Sequence, residues 1–179
     1  MTHFESSRLI YRSLLVDDVC DRYVDWLNDS EVNQYLETRF VRQTHETCTA
    51  FVSQMAEDPN SHLLGLFLKE TKEHIGNIKL GFINPHYQTG ELSFFIGEKR
   101  LWGKGYAAEA VKTVTEWGFR ELGLQKIEGG CYDENLASLR CFLKTGYAVE
   151  GYFRGAAVLR GKRVGAFWLG ILGADAITE

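Results

Sequence analysis

Proline is scarce in this chain, two residues in 179. No low-complexity tract accompanies them, which argues against a proline-rich spacer or a disordered tail. No apolar run approaches the roughly 18 residues of a membrane-spanning helix. The opening residues, Met1-Thr2-His3-Phe4-Glu5-Ser6, carry neither the basic nor the apolar segment of a signal peptide, so a cytoplasmic protein without a membrane partner is expected. Positive charge is not in excess either. The formal net charge is −4, which gives no support for a nucleic-acid partner. What remains is globular in its proportions, 45% hydrophobic and 25% charged, and long enough for one domain over residues 1–179 with a substantial core.

Cys20, Cys48, Cys131 and Cys141 form no C-x-x-C pair, the spacing of redox and zinc motifs. They read as reduced thiols that serve packing. Cys48 follows His45 by three residues, but two ligands fall short of the set a structural metal needs. His3, His62, His74 and His86 add no ligand pattern, and no metal is expected.

The stretch from Gly90 to Leu122 organises the rest. Leu92 to Ile96, with Phe94 and Phe95, is a short apolar run that reads as a buried strand. Ala107, Ala110, Val111, Val114, Gly118 and Leu122 recur at the helical period. Between strand and helix lies Lys99-Arg100-Leu101-Trp102-Gly103-Lys104-Gly105, basic and glycine-punctuated. Free backbone N–H groups at a helix N-terminus make an anion site, and Lys99, Arg100 and Lys104 add charge there. The competing reading is a solvated strand-to-helix loop. Gly103-Lys104-Gly105-Tyr106-Ala107-Ala108 also matches the loosest dinucleotide fingerprint. That motif wants the strand to run straight into the first glycine, and here six residues, Gly97 to Trp102, intervene. A P-loop would need a hydroxyl after Lys104, where Gly105 stands.

Arg100-x-x-Gly103-x-Gly105, placed after an apolar strand and before a helix, resembles the acyl-CoA signature of the GCN5-related N-acetyltransferase (GNAT) family. About thirty residues on, Asn135-Leu136-Ala137-Ser138-Leu139-Arg140-Cys141-Phe142-Leu143-Lys144-Thr145-Gly146-Tyr147 is similar to the family's second block. The phrase W-L-N-D-S-E-V-N-Q-Y-L-E, from Trp26 to Glu37, resembles the N-terminal helix pair of the branch with RimJ/RimL-like ribosomal-protein and amino-sugar acetyltransferases. The resemblance implies an acetyl-CoA-dependent transferase. Its cofactor would lie along Phe94, Phe95 and Ile96, with its diphosphate held by Arg100, Leu101, Trp102, Gly103, Lys104, Gly105, Tyr106 and Ala107. Asn135, Ser138, Arg140 and Lys144 would reach it from the second block. The strand would splay from its neighbour and leave backbone groups for the cofactor.

The expected fold is a single GNAT domain of class α/β, a mixed and mostly antiparallel sheet of about seven strands with helices on both faces. Strands are expected at Arg8–Leu14, Leu63–Lys69, His74–Ile83, Leu92–Ile96, Gln125–Tyr132, Tyr147–Arg154 and Val164–Leu172, with bulges or close contacts at Gly151 and Gly155. Asp17-Asp18 offers an N-cap for a helix to Leu27, Ser30 caps a second short helix through Tyr35, and Thr44 begins a third that ends near Asp58.

Acetyl transfer to an amine needs a neutral nucleophile, yet an α-amine has a pKa of about 8 and a lysine about 10. Glu91, at the start of the organising strand, is the candidate base; the other reading is a glutamate facing solvent. Backbone N–H groups near Phe94 would face the oxyanion. Asn135 holds the cofactor arm or a water, or is a plain helix cap. Many family members place a tyrosine at the position of Phe142 to protonate the leaving thiolate; here Ser138 or water must serve. Trp26, Tyr35, Glu37, Arg39 and Phe40 are expected to line the acceptor side. Y-L-E-T-R-F resembles nucleotide-linked amino-sugar acetyltransferases, with Arg39 and the turn Arg160 to Arg163 facing the nucleotide. A protein N-terminus as acceptor, or a non-catalytic acyl-CoA-binding module, are the alternatives. The partner is therefore a small-molecule amine, and the resemblance leaves a homodimer open.

Overall fold

The computed structural model describes residues 2–176, so the ends of the expected domain lie outside it. Its sheet has eight strands: β1 (His3–Glu5), β2 (Leu9–Ser13), β3 (His62–Leu68), β4 (His74–Asn84), β5 (Thr89–Ile96), β6 (Lys126–Tyr132), β7 (Ala148–Leu159) and β8 (Lys162–Leu172). Their order is β1-β2-β3-β4-β5-β6-β8-β7. All neighbours run antiparallel except β5 and β6. That pair is parallel because α3 (Tyr106–Glu121) carries the chain back across the sheet between them. The eighth strand is β1, three residues too short to show an alternation in sequence.

Helices cover both faces. On one, α3 and α4 (Leu136–Lys144) pack Ala110, Val111, Val114, Cys141 and Phe142 against Leu80, Leu92, Ile127 and Leu169. On the other, α1 (Asp21–Asn28) and α2 (His45–Glu57) enclose a smaller core of Tyr23, Trp26, Leu27, Cys48, Val52 and Leu63. Strand β5 feeds both cores, since successive side chains alternate: Phe94 meets Phe142, and Phe95 meets Trp26.

Three expectations change. Asp18 does not start the first helix: its carboxylate takes both guanidinium nitrogens of Arg12 at 2.6 Å and the Leu15 N–H, so Val16–Asp18 closes a single 3₁₀ turn and α1 begins at Asp21. Ser30 caps no helix. Asp29 Oδ1 instead accepts the N–H groups of Glu31 and Val32, and the chain continues in turns to a 3₁₀ segment at Glu37–Phe40. The last hairpin is longer than expected. Its register slips next to Gly151 and around Gly155, whose φ is 61°. Thr44 does cap α2, accepting the Thr47 N–H while its own N–H donates to Thr47 Oγ1.

Candidate active site

The two parallel strands part company. β5 and β6 pair only at Thr89–Lys126, Gly90–Ile127 and Glu91–Glu128. On its far side β5 stays paired to β4 as far as Ile96, and β6 stays paired to β8 as far as Tyr132. From Leu92 and Gly129 onward their facing edges therefore have no strand between them. Phe142 sits at the fork. It is 1% exposed, its ring meets Phe94 of β5 edge-on at 5.5 Å, and a Cβ built on Gly129 of β6 would lie 2.5 Å from its Cζ. The ring fills the place of a side chain on β6, between that strand and Phe94 of β5. Phe142 is thus a packed core residue at the fork.

Beyond β5 the chain makes the expected turn. Gly97 presses its backbone on the Trp26 indole, where a Cβ would come within 2.1 Å. Lys99–Leu101 forms a 3₁₀ turn with Leu101 buried at 5% exposure, and the Trp102 indole N–H donates to the Ile96 carbonyl at 2.8 Å. Gly103 and Gly105 have φ of 73° and 84°, a region costly for other residues. Gly105 leads directly into Tyr106 and Ala107, and no side chain caps α3 among the described residues. An uncapped helix N-terminus behind a glycine turn, next to an unpaired strand edge, fits a ligand with a diphosphate at one end and amides along its arm.

Two of the cations expected there pair with carboxylates. Lys99 Nζ donates to Asp29 at 2.8 Å and Glu31 at 2.6 Å. Arg100 grips both oxygens of Glu73 and pairs with Glu98 at 3.3 Å, while Arg22 also reaches Glu73 at 3.0 Å. Arg8 was not legible as a neighbour of this turn. It donates to the Lys104 carbonyl, stacks on Tyr106 at 4.2 Å and pairs with Glu109, which Ser6 also meets.

From the second block, Asn135 does cap α4: its Oδ1 accepts the Ser138 N–H at 3.2 Å. Ser138 is half-buried; Arg140 and Lys144 are exposed.

Glu91 marks the closed end of the fork, half-buried on the α1/α2 face of the sheet. Burial raises its pKa above the ordinary 4.5, Lys79 opposes the rise, and Glu128 beside it adds to the rise. Glu128 shares the Lys126 ammonium with Glu150, at 2.8 and 2.7 Å. Further along the same face the Trp168 indole lies over Gly130, at 2.8 Å from a Cβ built there.

The residues expected on the acceptor side separate into two groups. Tyr35, Glu37 and Arg39 converge on Tyr132 at the end of β6, a residue the sequence did not single out. Tyr132 O–H donates to Glu37 in a very short bond, Arg39 donates to Tyr132 Oη at 3.3 Å, and Tyr35 O–H reaches the Glu134 carbonyl. Arg39, its side chain only 13% exposed, also holds the Leu36 carbonyl and lies over the Phe40 ring, which is itself 67% exposed. Trp26 does not line an open surface; it is a core residue, edge-on to His74 and Phe95. His45 and Cys48 also part, the first to Asp21 and the second into the α1/α2 core.

The sequence profile of the acetyltransferase (GNAT) domain matches residues 8–148. The uncharacterized N-acetyltransferase p20 of Bacillus licheniformis is 26% identical over 170 residues, 93% of this chain and 94% of its own. YnaD of Bacillus subtilis, another uncharacterized N-acetyltransferase, is 29% identical over 85% of this chain and 86% of its own. Among solved structures, a GNAT-family acetyltransferase from Bacillus anthracis superposes with a TM-score of 0.82 at 24% identity, over 96% of this chain and 98% of that one. Spermidine N-acetyltransferase from Vibrio cholerae, crystallised with CoA and spermine, superposes with a TM-score of 0.86 at 19% identity, over 97% and 100% of the two chains. Forked strands, uncapped helix and domain match lead to one statement: the chain belongs to the GNAT family and is an N-acetyltransferase whose cosubstrate is acetyl-CoA.

Proposed function

We propose that the chain, as one domain, acetylates a small primary amine that carries a second positive charge, by direct attack on the thioester. The observation that carries this reading is the position of Glu91, a half-buried carboxylate at the point where β5 and β6 separate. Bound acetyl-CoA supplies the activated acetyl carbonyl. Glu91 removes the proton of the incoming amine, directly or through water, and its raised proton affinity makes it a stronger base than an exposed glutamate. N–H groups on the free edge of β5 face the developing oxyanion. As the new amide bond forms and the carbon–sulfur bond breaks, the thiolate takes a proton from water or Ser138, since Phe142 has none to give.

What supports a cationic acceptor is the face it would cross. Glu91, Glu128 and Glu150 line it; Lys126 is shared by Glu128 and Glu150, Lys79 lies near Glu91, and Trp168 and Tyr132 supply aromatic surface for an ammonium. The nucleotide-sugar reading loses its footing, because Arg39 is committed to Leu36, Glu37 and Tyr132, and Arg160 to Gln34. A panel of spermidine, diaminoalkanes, UDP-linked amino sugars and peptides, assayed for free thiol release, tests the proposal. Turnover confined to the sugars or to peptide N-termini overturns the acceptor class, and tight CoA binding with no turnover on any amine favours a non-catalytic module.

The edge strand β7 exposes Val149, Tyr152 and Phe153, which supports a homodimer through that edge. A monomeric mass in solution at micromolar concentration would exclude it.

A further inference from the structure

We propose that Lys99 is a positioning residue for the acceptor side and not a phosphate ligand: it straps the cofactor turn to residues 29–40. The inference rests on the reading above that this segment borders the acceptor.

Lys99 lies three residues past the end of the β5 backbone edge, at the start of the turn expected to hold the diphosphate. Yet its ammonium is occupied by two carboxylates, Asp29 at 2.8 Å and Glu31 at 2.6 Å, and both raise its pKa to about 12. Asp29 is the hinge of the segment. One of its oxygens meets Lys99, and the other accepts the N–H groups of Glu31 at 2.8 Å and Val32 at 3.3 Å. The Asn33 N–H donates to the Asp29 carbonyl, and the Leu36 N–H donates to Asn33. These turns deliver Glu37 and Arg39 to Tyr132 across the mouth of the fork. One lysine therefore ties the turn at the end of β5 to the segment that ends on β6. Arg100 repeats the pattern, turned to Glu73, which Arg22 of α1 also holds. With both cations engaged, the diphosphate falls to the backbone N–H groups of residues 103–107 and to Lys104.

The strap is exposed, and surface pairs are individually weak. Its effect should thus appear on the segment it holds and not on global stability. Three measurements decide the matter. Hydrogen exchange in Lys99→Met should speed up at residues 29–40 by about three- to tenfold, the span of one or two surface ion pairs. Calorimetry with CoA at low and moderate salt should give an affinity within about twofold of the wild type. With spermidine as the acceptor probe, KM for the amine should rise while KM for acetyl-CoA stays put. Lys99→Arg should restore all three, and Asp29→Asn, which keeps the oxygen for the Glu31 N–H, should not add to Lys99→Met. A fall in CoA affinity of about tenfold, with exchange at residues 29–40 unchanged, would make Lys99 a phosphate ligand and overturn the proposal. If the wild type does not turn over spermidine, the acceptor class fails, and exchange with calorimetry still decides the role of Lys99.

Discussion

The two faces of the sheet are built differently. Under α3 and α4 the core is almost wholly apolar, with Thr115 hydrogen-bonded to Tyr147 at 2.7 Å inside it. Under α1 and α2 the smaller core is edged by His74 and Asn77, hydrogen-bonded to each other, and continues into an irregular segment held by side chains. The cofactor turn belongs to the first face and is shaped by backbone: two glycines at positive φ and a bare helix end. The segment proposed to border the acceptor belongs to the second and is shaped by contacts such as Glu37 with Tyr132, 95 residues apart. Backbone geometry suits a cosubstrate common to a whole family. Side-chain contacts can change residue by residue, which suits an acceptor that varies.

The largest expected effect tests the first face. Phe142→Ala removes the ring and opens a cavity, a loss of about 3–5 kcal/mol in urea unfolding. Gly129→Ala should cost about 1–3 kcal/mol through overpacking, since the new Cβ would meet the ring. If both variants keep wild-type stability and CoA affinity, Phe142 does not set the fork. The second effect belongs to the other face. Glu91→Gln should lower kcat about 100-fold or more with CoA affinity intact. The acid limb of the wild-type rate profile should lie above the ordinary glutamate range, because burial and Glu128 both favour the protonated form. Glu128→Gln should shift that limb to lower pH. An unmoved limb in that variant, with activity retained in Glu91→Gln, would place the base elsewhere.

A smaller effect separates backbone from side chain within the cofactor turn. A Cβ at Gly103 would meet nothing within 4 Å, so Gly103→Ala changes only the cost of a positive φ. It should lose about 1–2 kcal/mol, split between stability and CoA binding. A variant indistinguishable from wild type in both would show that the turn does not need its left-handed residue.

That contrast also explains what the sequence disclosed. The cofactor turn, the Asn135 cap and most strands rest on neighbours within a few positions, so glycine spacing and apolar periodicity reveal them. The acceptor segment does not. Ser30 reads as a cap, yet no helix follows it; Asp29 beside it holds the turn and also meets Lys99, 70 residues away. Trp26 reads either as a core aromatic or as a lining of the acceptor side, and the choice depends on Gly97 and Phe95 packing against it. Arg8 and Tyr132 carry no motif at all; they matter through Lys104 and Glu37. Phe142 reads as a missing tyrosine, whereas its packing role needs Gly129, thirteen positions earlier on β6.

His74 gives the last and smallest test, and it concerns the second face alone. The ring is 6% exposed, stacked on Phe67 at 4.7 Å and on Tyr23 at 6.1 Å, with Trp26 edge-on. Its Nε2–H donates to Asn77 Oδ1 at 2.8 Å and to the Gly76 carbonyl at 3.0 Å, so the neutral ring is satisfied. Burial lowers its pKa below the ordinary 6.5; Asn77, Asp18 and the Gly76 carbonyl oppose the shift, and Arg22 reinforces it. Below pH 6.5 the unfolded chain takes up a proton that the folded ring refuses, so stability falls as the pH drops toward the lowered value. His62, half-buried against Trp117, acts with the same sign, and Glu91, whose pKa is raised, acts with the opposite one. Asp18, Glu73 and Glu109 all have lowered values and enter only below the ordinary carboxylate range. The clean readout is therefore a difference. Urea midpoints compared between pH 7.5 and 5.5 should drop further for the wild type than for His74→Gln, which keeps an N–H donor but cannot be charged. Equal drops in the two proteins would mean that protonation of His74 does not strain the α1/α2 core, and that the two faces respond to acid alike.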